Sequence, residues 1–155
     1  MTNWKNTLAL WGFGLTKIPL IAFVRPSIIH IDDEGCEVRI PLNYFTKNHL
    51  GSMYFGVLSV GADVAGGLMA MEMIRRSKKK VQLVFKDYKA NFLKRPEGDV
   101  HFICHDGAKI KKQLAETIKT KQRVTRPLKI IATTPKLSGD EPVAEFELGL
   151  SLKAK

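Results

Sequence analysis

Cysteine is scarce in this sequence, which has only two among 155 residues. Two cysteines are too few for a disulfide framework, and both Cys36 and Cys104 lie beside apolar residues in strand-like runs. We therefore expect buried free thiols and a reducing, cytoplasmic location. No cysteine and histidine spacing is typical of zinc, and no glycine-rich loop ends in Lys-Ser or Lys-Thr. These absences exclude a zinc module and a P-loop nucleotide site, so we expect no metal and no cofactor.

The sequence also lacks a long uninterrupted apolar run near its start. Residues 8–24 come nearest, but Lys17 and Pro19 interrupt them and no small-residue cleavage site follows. We expect an N-terminal helix over about residues 3–20 that docks on the core, in place of a membrane span or a targeting segment. Contact with a membrane surface is the alternative, and it rests on three aromatic residues: Trp4, Trp11 and Phe13.

Acidic residues are few relative to basic ones, with 15 against 25, for a formal net charge of +10. A basic surface attracts anionic partners, which include phosphate-bearing ligands, nucleic acid and membrane surfaces. A solvated basic surface without such a partner explains the charge equally well. Because basic and aromatic residues seldom cluster and no nucleic-acid-binding module is recognisable, we expect no nucleic-acid binding.

What the sequence does have is one long apolar stretch, residues 56–77. Between residues 56 and 74 only Asp63 and Glu72 can carry a charge. Apolar residues lie on all sides of the helix that this stretch predicts, which favours burial on most sides. Such a helix would span roughly 33 Å. Its three internal glycines each cost about 1 kcal/mol in helix propensity, so they indicate close approach of a sheet or of a second subunit.

Most of the remaining segments alternate between apolar and polar residues, as β-strands do. Residues 108–122 fit a short amphipathic helix instead, although an extended strand is the other interpretation. Turn residues separate the alternating segments and mark where each strand ends. The expected strands are 27–32, 36–41, 81–95, 99–104, 128–134 and 143–152.

We expect the first and second of these strands to form a hairpin, and the third and fourth to form another through the turn at residues 96–98. Several antiparallel strands beside one long helix are typical of an α+β fold. The sheet needs a cover for its apolar face, and only helix 56–77 is long and apolar enough. The sequence therefore predicts a single domain over 1–155, in which an antiparallel sheet curls around that helix.

Residues 48–56, with the sequence NHLGSMYFG, resemble the signature of hotdog-fold thioesterases of the phenylacetate-pathway-like branch. That signature has the pattern Asn-x-x-Gly, then His-Gly-Gly at a helix start and an acid about two turns into the helix. Tyr54 and Phe55 stand in place of the His-Gly pair. The resemblance runs from about residue 28 to the C-terminus and extends to an uncharacterised thioesterase-like group with an N-terminal helix. Four residues match signature positions: Asn48, Gly51, Gly56 and Asp63.

The resemblance implies a hotdog-fold hydrolase of acyl thioesters, in the first place of acyl-CoA, that forms a homodimer or homotetramer. It implies that Asp63 acts as base or nucleophile, that the Gly56 N–H binds the oxyanion, and that Asn48 orients the thioester. Gly56 and Asp63 lie roughly 10 Å apart along one helix, so one carbonyl would meet both only if they come from two subunits. The residues expected to bind substrate are Gly51, Ser52, Tyr54, Phe55 and Arg95.

Structural interpretations of the same residues stay open. Asp63 would then be a buried carboxylate bonded to backbone or to a hydroxyl, Asn48 a turn residue and Ser52 the N-cap of the helix. The missing His-Gly pair equally fits a non-catalytic protein that binds acyl-CoA or lipid. Cations that would either meet the phosphates of coenzyme A or form a solvated face are Arg75, Arg76, Lys78, Lys79, Lys80, Lys94 and Arg95.

Overall fold

One antiparallel sheet and one long helix form the framework of the structure, a computed structural model that describes all 155 residues. Two helices precede the first strand, and two more connect later strands. The elements in chain order are α1 (Trp4–Lys17), α2 (Pro19–Phe23), β1 (Ser27–Ile31), β2 (Cys36–Ile40), α3 (Phe55–Ser77), β3 (Val81–Phe92), β4 (Val100–Cys104), α4 (Gly107–Thr120), β5 (Val124–Thr133), α5 (Pro135–Ser138) and β6 (Pro142–Ala154).

The sheet has six strands in the order β1-β2-β4-β5-β6-β3, and all neighbouring strands are antiparallel. Its apolar face packs on α3, which contacts strands from β2 on one side to β3 at the far edge. α3 is long and apolar enough to cross a membrane, but 61% of its most apolar stretch is buried within the protein, which is typical of a core helix. The predicted α+β architecture, with a sheet wrapped around the central helix, is confirmed.

Three polar contacts hold the N-terminal helix α1 to β1. The Thr7 hydroxyl, which is fully buried, accepts a hydrogen bond from the Ile28 N–H at 2.9 Å. The Asn3 N–H donates to the Ile28 carbonyl at 2.7 Å, and the Trp11 indole N–H donates to the Pro26 carbonyl at 2.7 Å. Because buried backbone groups of β1 depend on these bonds, α1 is an integral part of the fold.

The predicted hairpin between the third and fourth strands is wrong. β3 pairs with β6 and forms one edge of the sheet, whereas β4 lies between β2 and β5. The turn that separates them is bound to other elements. The Met53 N–H donates to the Pro96 carbonyl at 2.9 Å, and the N–H groups of Leu93 and Lys94 both donate to the Val143 carbonyl. These bonds hold the connection that crosses the sheet from β3 to β4. The two strands therefore follow each other in sequence without being neighbours in the sheet.

Other boundaries differ from the sequence-based expectation by a few residues. Residues 108–122 contain helix α4, so the strand interpretation of that segment is wrong. β3 ends at Phe92 instead of residue 95, and β5 begins at Val124 instead of residue 128. The short helix α5 has no counterpart among the expected elements.

Cys36 and Cys104 face each other across β2 and β4, and both are buried and free. Burial raises the pKa of Cys36 to about 12 and that of Cys104 to about 11. Both side chains are therefore protonated thiols at neutral pH, without the reactivity of a thiolate. The expectation of buried free thiols is confirmed.

Gly61 marks the closest approach between α3 and the ring of Phe102 in β4. A Cβ at Gly61 would fall 2.2 Å from Phe102 Cζ, and Phe102 is fully buried, so its ring has no free space to move into. We expect Gly61→Ala to lower the free energy of unfolding by about 1–3 kcal/mol, the usual cost of overpacking a core. Urea denaturation monitored by circular dichroism measures this loss.

Gly66→Ala is the matched control for that prediction. A Cβ at Gly66 would meet its nearest neighbours at 3.5 Å, which is an ordinary contact. The control variant should be neutral, or more stable by up to about 1 kcal/mol, because alanine favours the helix. If both variants unfolded at the same urea concentration, the packing of α3 against β4 described above would be contradicted.

Candidate active site

One stripe of α3 remains accessible while most of the first half of the helix is buried. Its members follow one another at intervals of three, one and three residues, which places them on one face of the helix. The first and last members, seven residues apart, point the same way and lie about 10 Å apart along the helix axis. The stripe consists of Gly56, Ser59, Val60 and Asp63.

Asp63 is the charged residue of this stripe, and no hydrogen bond or ion pair from the chain reaches its carboxylate. Burial raises the pKa of this carboxyl above its ordinary value, with no neighbouring cation to lower it. The interpretation in which backbone or a hydroxyl binds Asp63 is therefore wrong. A half-buried carboxylate with free lone pairs and a raised pKa is suited to accept a proton from water.

The start of α3 presents two free N–H groups. Tyr54 is the N-cap residue, its side chain makes no cap, and its carbonyl accepts from the N–H groups of Val57 and Leu58 at 2.9 and 3.1 Å. The N–H groups of Phe55 and Gly56 have no acceptor within the chain. Because the helix dipole adds partial positive charge at this end, the two donors favour an anionic oxygen.

The space beside Gly56 is filled by the ring of Tyr54. A Cβ on Gly56 would fall 2.5 Å from Tyr54 Cε1. Tyr54 packs in turn against Phe55, with ring centroids 4.8 Å apart, and Phe55 meets Phe92 edge to face at 6.2 Å. The side of Gly56 is therefore occupied by an aromatic ring and is not open to a substrate. The glycine makes room for an aromatic ring, while its N–H remains free.

Asn48 organises the loop that precedes α3. Its Oδ1 accepts hydrogen bonds from the N–H groups of Leu50 at 2.9 Å and Ser52 at 3.2 Å, and its own N–H donates to the Ser52 carbonyl at 2.7 Å. Gly51 has φ of +80°, a conformation that glycine adopts without strain. The interpretation of Asn48 as a turn residue is confirmed, and its Nδ2 remains available as a donor because the turn uses only Oδ1.

Arg95 lies in the connection between β3 and β4 and binds the same loop. Its Nε donates to Ser52 Oγ at 3.1 Å, its Nη2 donates to the Leu50 carbonyl at 2.9 Å, and Glu97 lies 3.2 Å away. Ser52 is thus bound to Arg95 and precedes the N-cap residue Tyr54, so its expected role as N-cap is wrong. The Arg95 side chain is 58% exposed and keeps its positive charge at the rim of the loop.

The remaining cations of the expected basic rim divide into two groups. Lys78, Lys79 and Lys80 are exposed beyond the end of α3 and form no ion pair. The other cations form ion pairs with carboxylates, which weakens their attraction for a second anion. The pairs are Arg75–Glu72, Arg76–Asp33 and Lys94–Glu141.

A cavity of about 1130 Å³ opens beside Asp63. Its walls come from α1, α2, α3 and β3 and are mostly apolar, as at Phe13, Leu68 and Phe85. Sequence reasoning missed α1 as a wall of this cavity. The available signal was that α1 has apolar residues on more than one face, whereas a helix that only docks on a core needs one apolar stripe.

The sequence model of one protein family, described as "Domain of unknown function (DUF4442)", matches residues 8–139. The sequence matches no curated protein.

Solved structures from several bacteria are similar over nearly the whole chain. A Pseudomonas aeruginosa protein of unknown function, described as a probable thioesterase, is 20% identical, with 96% of each chain covered and a TM-score of 0.75. A Chlorobaculum tepidum protein of unknown function is 17% identical, with 99% of this chain and 98% of that one covered and a TM-score of 0.82. A Haemophilus influenzae thioesterase is 14% identical, with 90% and 86% covered and a TM-score of 0.65. The likeness confirms the hotdog fold.

The raised pKa of Asp63 predicts how stability depends on pH. At a pH below 3.8, the ordinary pKa of this carboxyl, the group is neutral in both the folded and the unfolded state. No charge is then buried on folding, so the group does not lower the stability. Above the folded-state pKa, ionisation favours the unfolded state. For the monomeric chain, at protein concentrations too low for subunits to associate, we expect Asp63→Asn to be more stable than the wild type in urea at pH 7, with a gap that closes as the pH falls toward 3.8. A gap that does not change with pH, or a less stable variant at pH 7, would mean that the carboxylate has a partner.

Proposed function

The chain belongs to the DUF4442 family, and from that premise we propose that it hydrolyses acyl thioesters, in the first place acyl-CoA, at a site shared between two subunits. The observation that carries the proposal is the accessible stripe of α3. It holds an unpartnered carboxylate, Asp63, on the same face as the free N–H of Gly56. The thioesterase descriptions of the Pseudomonas and Haemophilus proteins support the same reaction class.

The proposed chemistry uses each group for one task. Asp63 takes a proton from a water molecule, which attacks the thioester carbonyl, and the negative charge that develops on the carbonyl oxygen is met by the N–H groups of Phe55 and Gly56. Collapse of the tetrahedral intermediate breaks the carbon–sulfur bond, and the leaving thiolate takes up the proton held by Asp63, which restores the carboxylate. We assign to the free Nδ2 of Asn48 the task of orienting the thioester.

Two subunits are needed because of the geometry of α3. One carbonyl cannot lie within hydrogen-bond reach of both Asp63 and the Gly56 N–H when these are about 10 Å apart on one helix. If two α3 helices cross antiparallel about a twofold axis near Ser59, Asp63 of each helix meets the start of the other. Such an arrangement makes two equivalent sites and also covers the accessible stripe.

The edge strand β3 supports the same dimer. It has 12 residues, and the side that does not face β6 lacks a neighbouring strand. Three large apolar residues on it are about half exposed: Val84, Tyr88 and Phe92. Long edge strands with apolar residues invite pairing with another chain. Tyr88 also links the strand to the stripe of α3, because its hydroxyl lies 2.8 Å from Ser59 Oγ. We propose a homodimer, or a tetramer built from such dimers.

The cavity beside Asp63 is the proposed site for the acyl chain. Its mostly apolar walls suit a hydrocarbon, and its volume slightly exceeds the range of about 300–1,000 Å³ that is usual for ligand sites. Arg95 and the three exposed lysines that follow α3 provide positive charge for the phosphates of coenzyme A. We place the activity in the cytoplasm, where two free buried thiols are stable.

A non-catalytic acyl-CoA or lipid carrier is the second candidate. It is favoured by Tyr54, which stands where the related signature has histidine and whose ring lies against Gly56. A carrier would be stabilised thermally by acyl-CoA without releasing thiol. We do not propose nucleic-acid binding.

Asp63→Asn tests the catalytic role. The variant keeps the shape of the side chain but loses the proton acceptor, so we expect kcat to fall by about 10²–10⁴, with little change in KM. Thiol release from a panel of acyl-CoA substrates of different chain lengths measures the loss. Circular dichroism and size-exclusion chromatography check that fold and assembly are kept.

Asp140→Asn is the matched control, because Asp140 is exposed in the turn before β6 and far from α3 in the sequence. It should retain wild-type turnover. Turnover of Asp63→Asn within about twofold of the wild type would remove Asp63 from the mechanism. Thermal stabilisation by acyl-CoA with no turnover by the wild type would instead favour the carrier.

A further inference from the structure

Helix α1 carries a row of large apolar side chains that points away from the protein. Trp4, Leu8 and Leu15 are 61%, 60% and 71% exposed. Together with Trp11 they recur at intervals of four, three and four residues, which places them on one face of the helix. The side of α1 at Thr7, Leu10 and Gly14, about a quarter turn away, packs against the fold, and Trp11 is partly buried with its indole bound to the Pro26 carbonyl. The exposed members of the row, Trp4, Leu8 and Leu15, are therefore not needed for the core.

Helix α2 enlarges the same surface. It packs against α1 where a Cβ on Gly14 would lie 2.8 Å from the Ala22 nitrogen, so the two helices form one unit. Leu20 and Phe23 of α2 are each 55% exposed, and Phe23 meets the exposed ring of Phe45 edge to face at 5.4 Å. We call the exposed apolar residues of α1 and α2 the N-terminal face.

The charges around the N-terminal face have one sign. No aspartate or glutamate occurs before Asp32, whereas Lys5, Lys17 and Arg25 lie on or beside the two helices. All three cations are exposed, and none takes part in an ion pair. The face therefore combines tryptophan and leucine with unpaired positive charge, which is the composition of helices that lie in the headgroup region of an anionic membrane.

We propose that the N-terminal face docks on anionic lipid bilayers, with α1 lying in the plane of the membrane. The apolar row would enter the boundary between headgroups and acyl chains, while the lysine and arginine heads reach lipid phosphates. A second copy of the chain is a poorer occupant. In a twofold interface the face would meet itself, so its three cations would approach one another without a carboxylate between them.

Intrinsic fluorescence is suited to test this proposal, because the only two tryptophans of the chain, Trp4 and Trp11, are both in α1. The full-length protein is mixed with phosphatidylcholine vesicles that contain either no anionic lipid or a third phosphatidylglycerol. With anionic vesicles we expect a blue shift of the emission and co-sedimentation of the protein. Neutral vesicles, or high salt, should weaken binding at least about tenfold.

The double variant Leu8→Glu/Leu15→Glu removes the apolar row without touching the buried side of α1. It should lose the blue shift and bind anionic vesicles at least about tenfold more weakly, with unchanged circular dichroism. Leu137→Glu is the control for exposed leucine, since Leu137 is 63% exposed in α5. Lys112→Glu/Lys119→Glu is the control for charge, because both lysines are exposed on α4. Both controls should bind vesicles much better than the Leu8/Leu15 variant.

Three results would overturn the proposal. The first is no binding to anionic vesicles at low salt. The second is binding that survives in the Leu8→Glu/Leu15→Glu variant but is lost in Lys112→Glu/Lys119→Glu, which would assign it to the basic surface of α4. The third is a concentration-dependent oligomer, without vesicle binding, that disappears in the Leu8→Glu/Leu15→Glu variant, which would make the face an interface between copies of the chain.

Discussion

The structure depends on one constraint: a single sheet must bury a 23-residue apolar helix that it cannot surround completely. Close packing along α3 is possible because small residues face the sheet, most clearly where Gly61 accepts the ring of Phe102. Beside the sheet, α4 also contacts α3, and α1 and α2 face it across the cavity. What remains is the narrow stripe from Gly56 to Asp63, and the proposed chemistry lies on it.

The same constraint accounts for the electrostatics of the site. A carboxylate in the middle of an apolar helix is costly to ionise, and nothing within the chain offsets that cost for Asp63. The free N–H groups at the start of α3 have the complementary charge but lie about two turns away. Their own chain cannot bring the two together. The proposed second subunit would cover the stripe and resolve both mismatches, and it could pair at the edge strand β3.

Much of the fold could be predicted from the sequence, because burial leaves periodic patterns. The length and all-round apolar character of α3 indicated a core helix, and the alternation in β2 and β6 indicated strands. The pairing of β3 could not be predicted, since it depends on hydrogen bonds from Met53, Leu93 and Lys94 to distant residues. At the site, Asp63 stood out as a lone acid. Three features of the site depend on tertiary contacts, which no local sequence pattern predicts. They are the ring of Tyr54 beside Gly56, the hydrogen bond from Arg95 to Ser52 and the contribution of α1 to the cavity wall.

The central claim is that one subunit supplies the acid and the other the helix start, and mixed dimers test it most directly. Asp63→Asn removes the acid, and Phe55→Pro removes a free N–H at the first residue of α3, where proline is tolerated best and a Cβ is already present. Each variant alone should be inactive. After the two are unfolded, mixed in equal amounts and refolded, about half of the dimers are mixed, and each has one intact site, so about a quarter of wild-type thiol release should return. If the mixture stayed as inactive as its two parents while mixed dimers formed, the two groups would not come from different subunits.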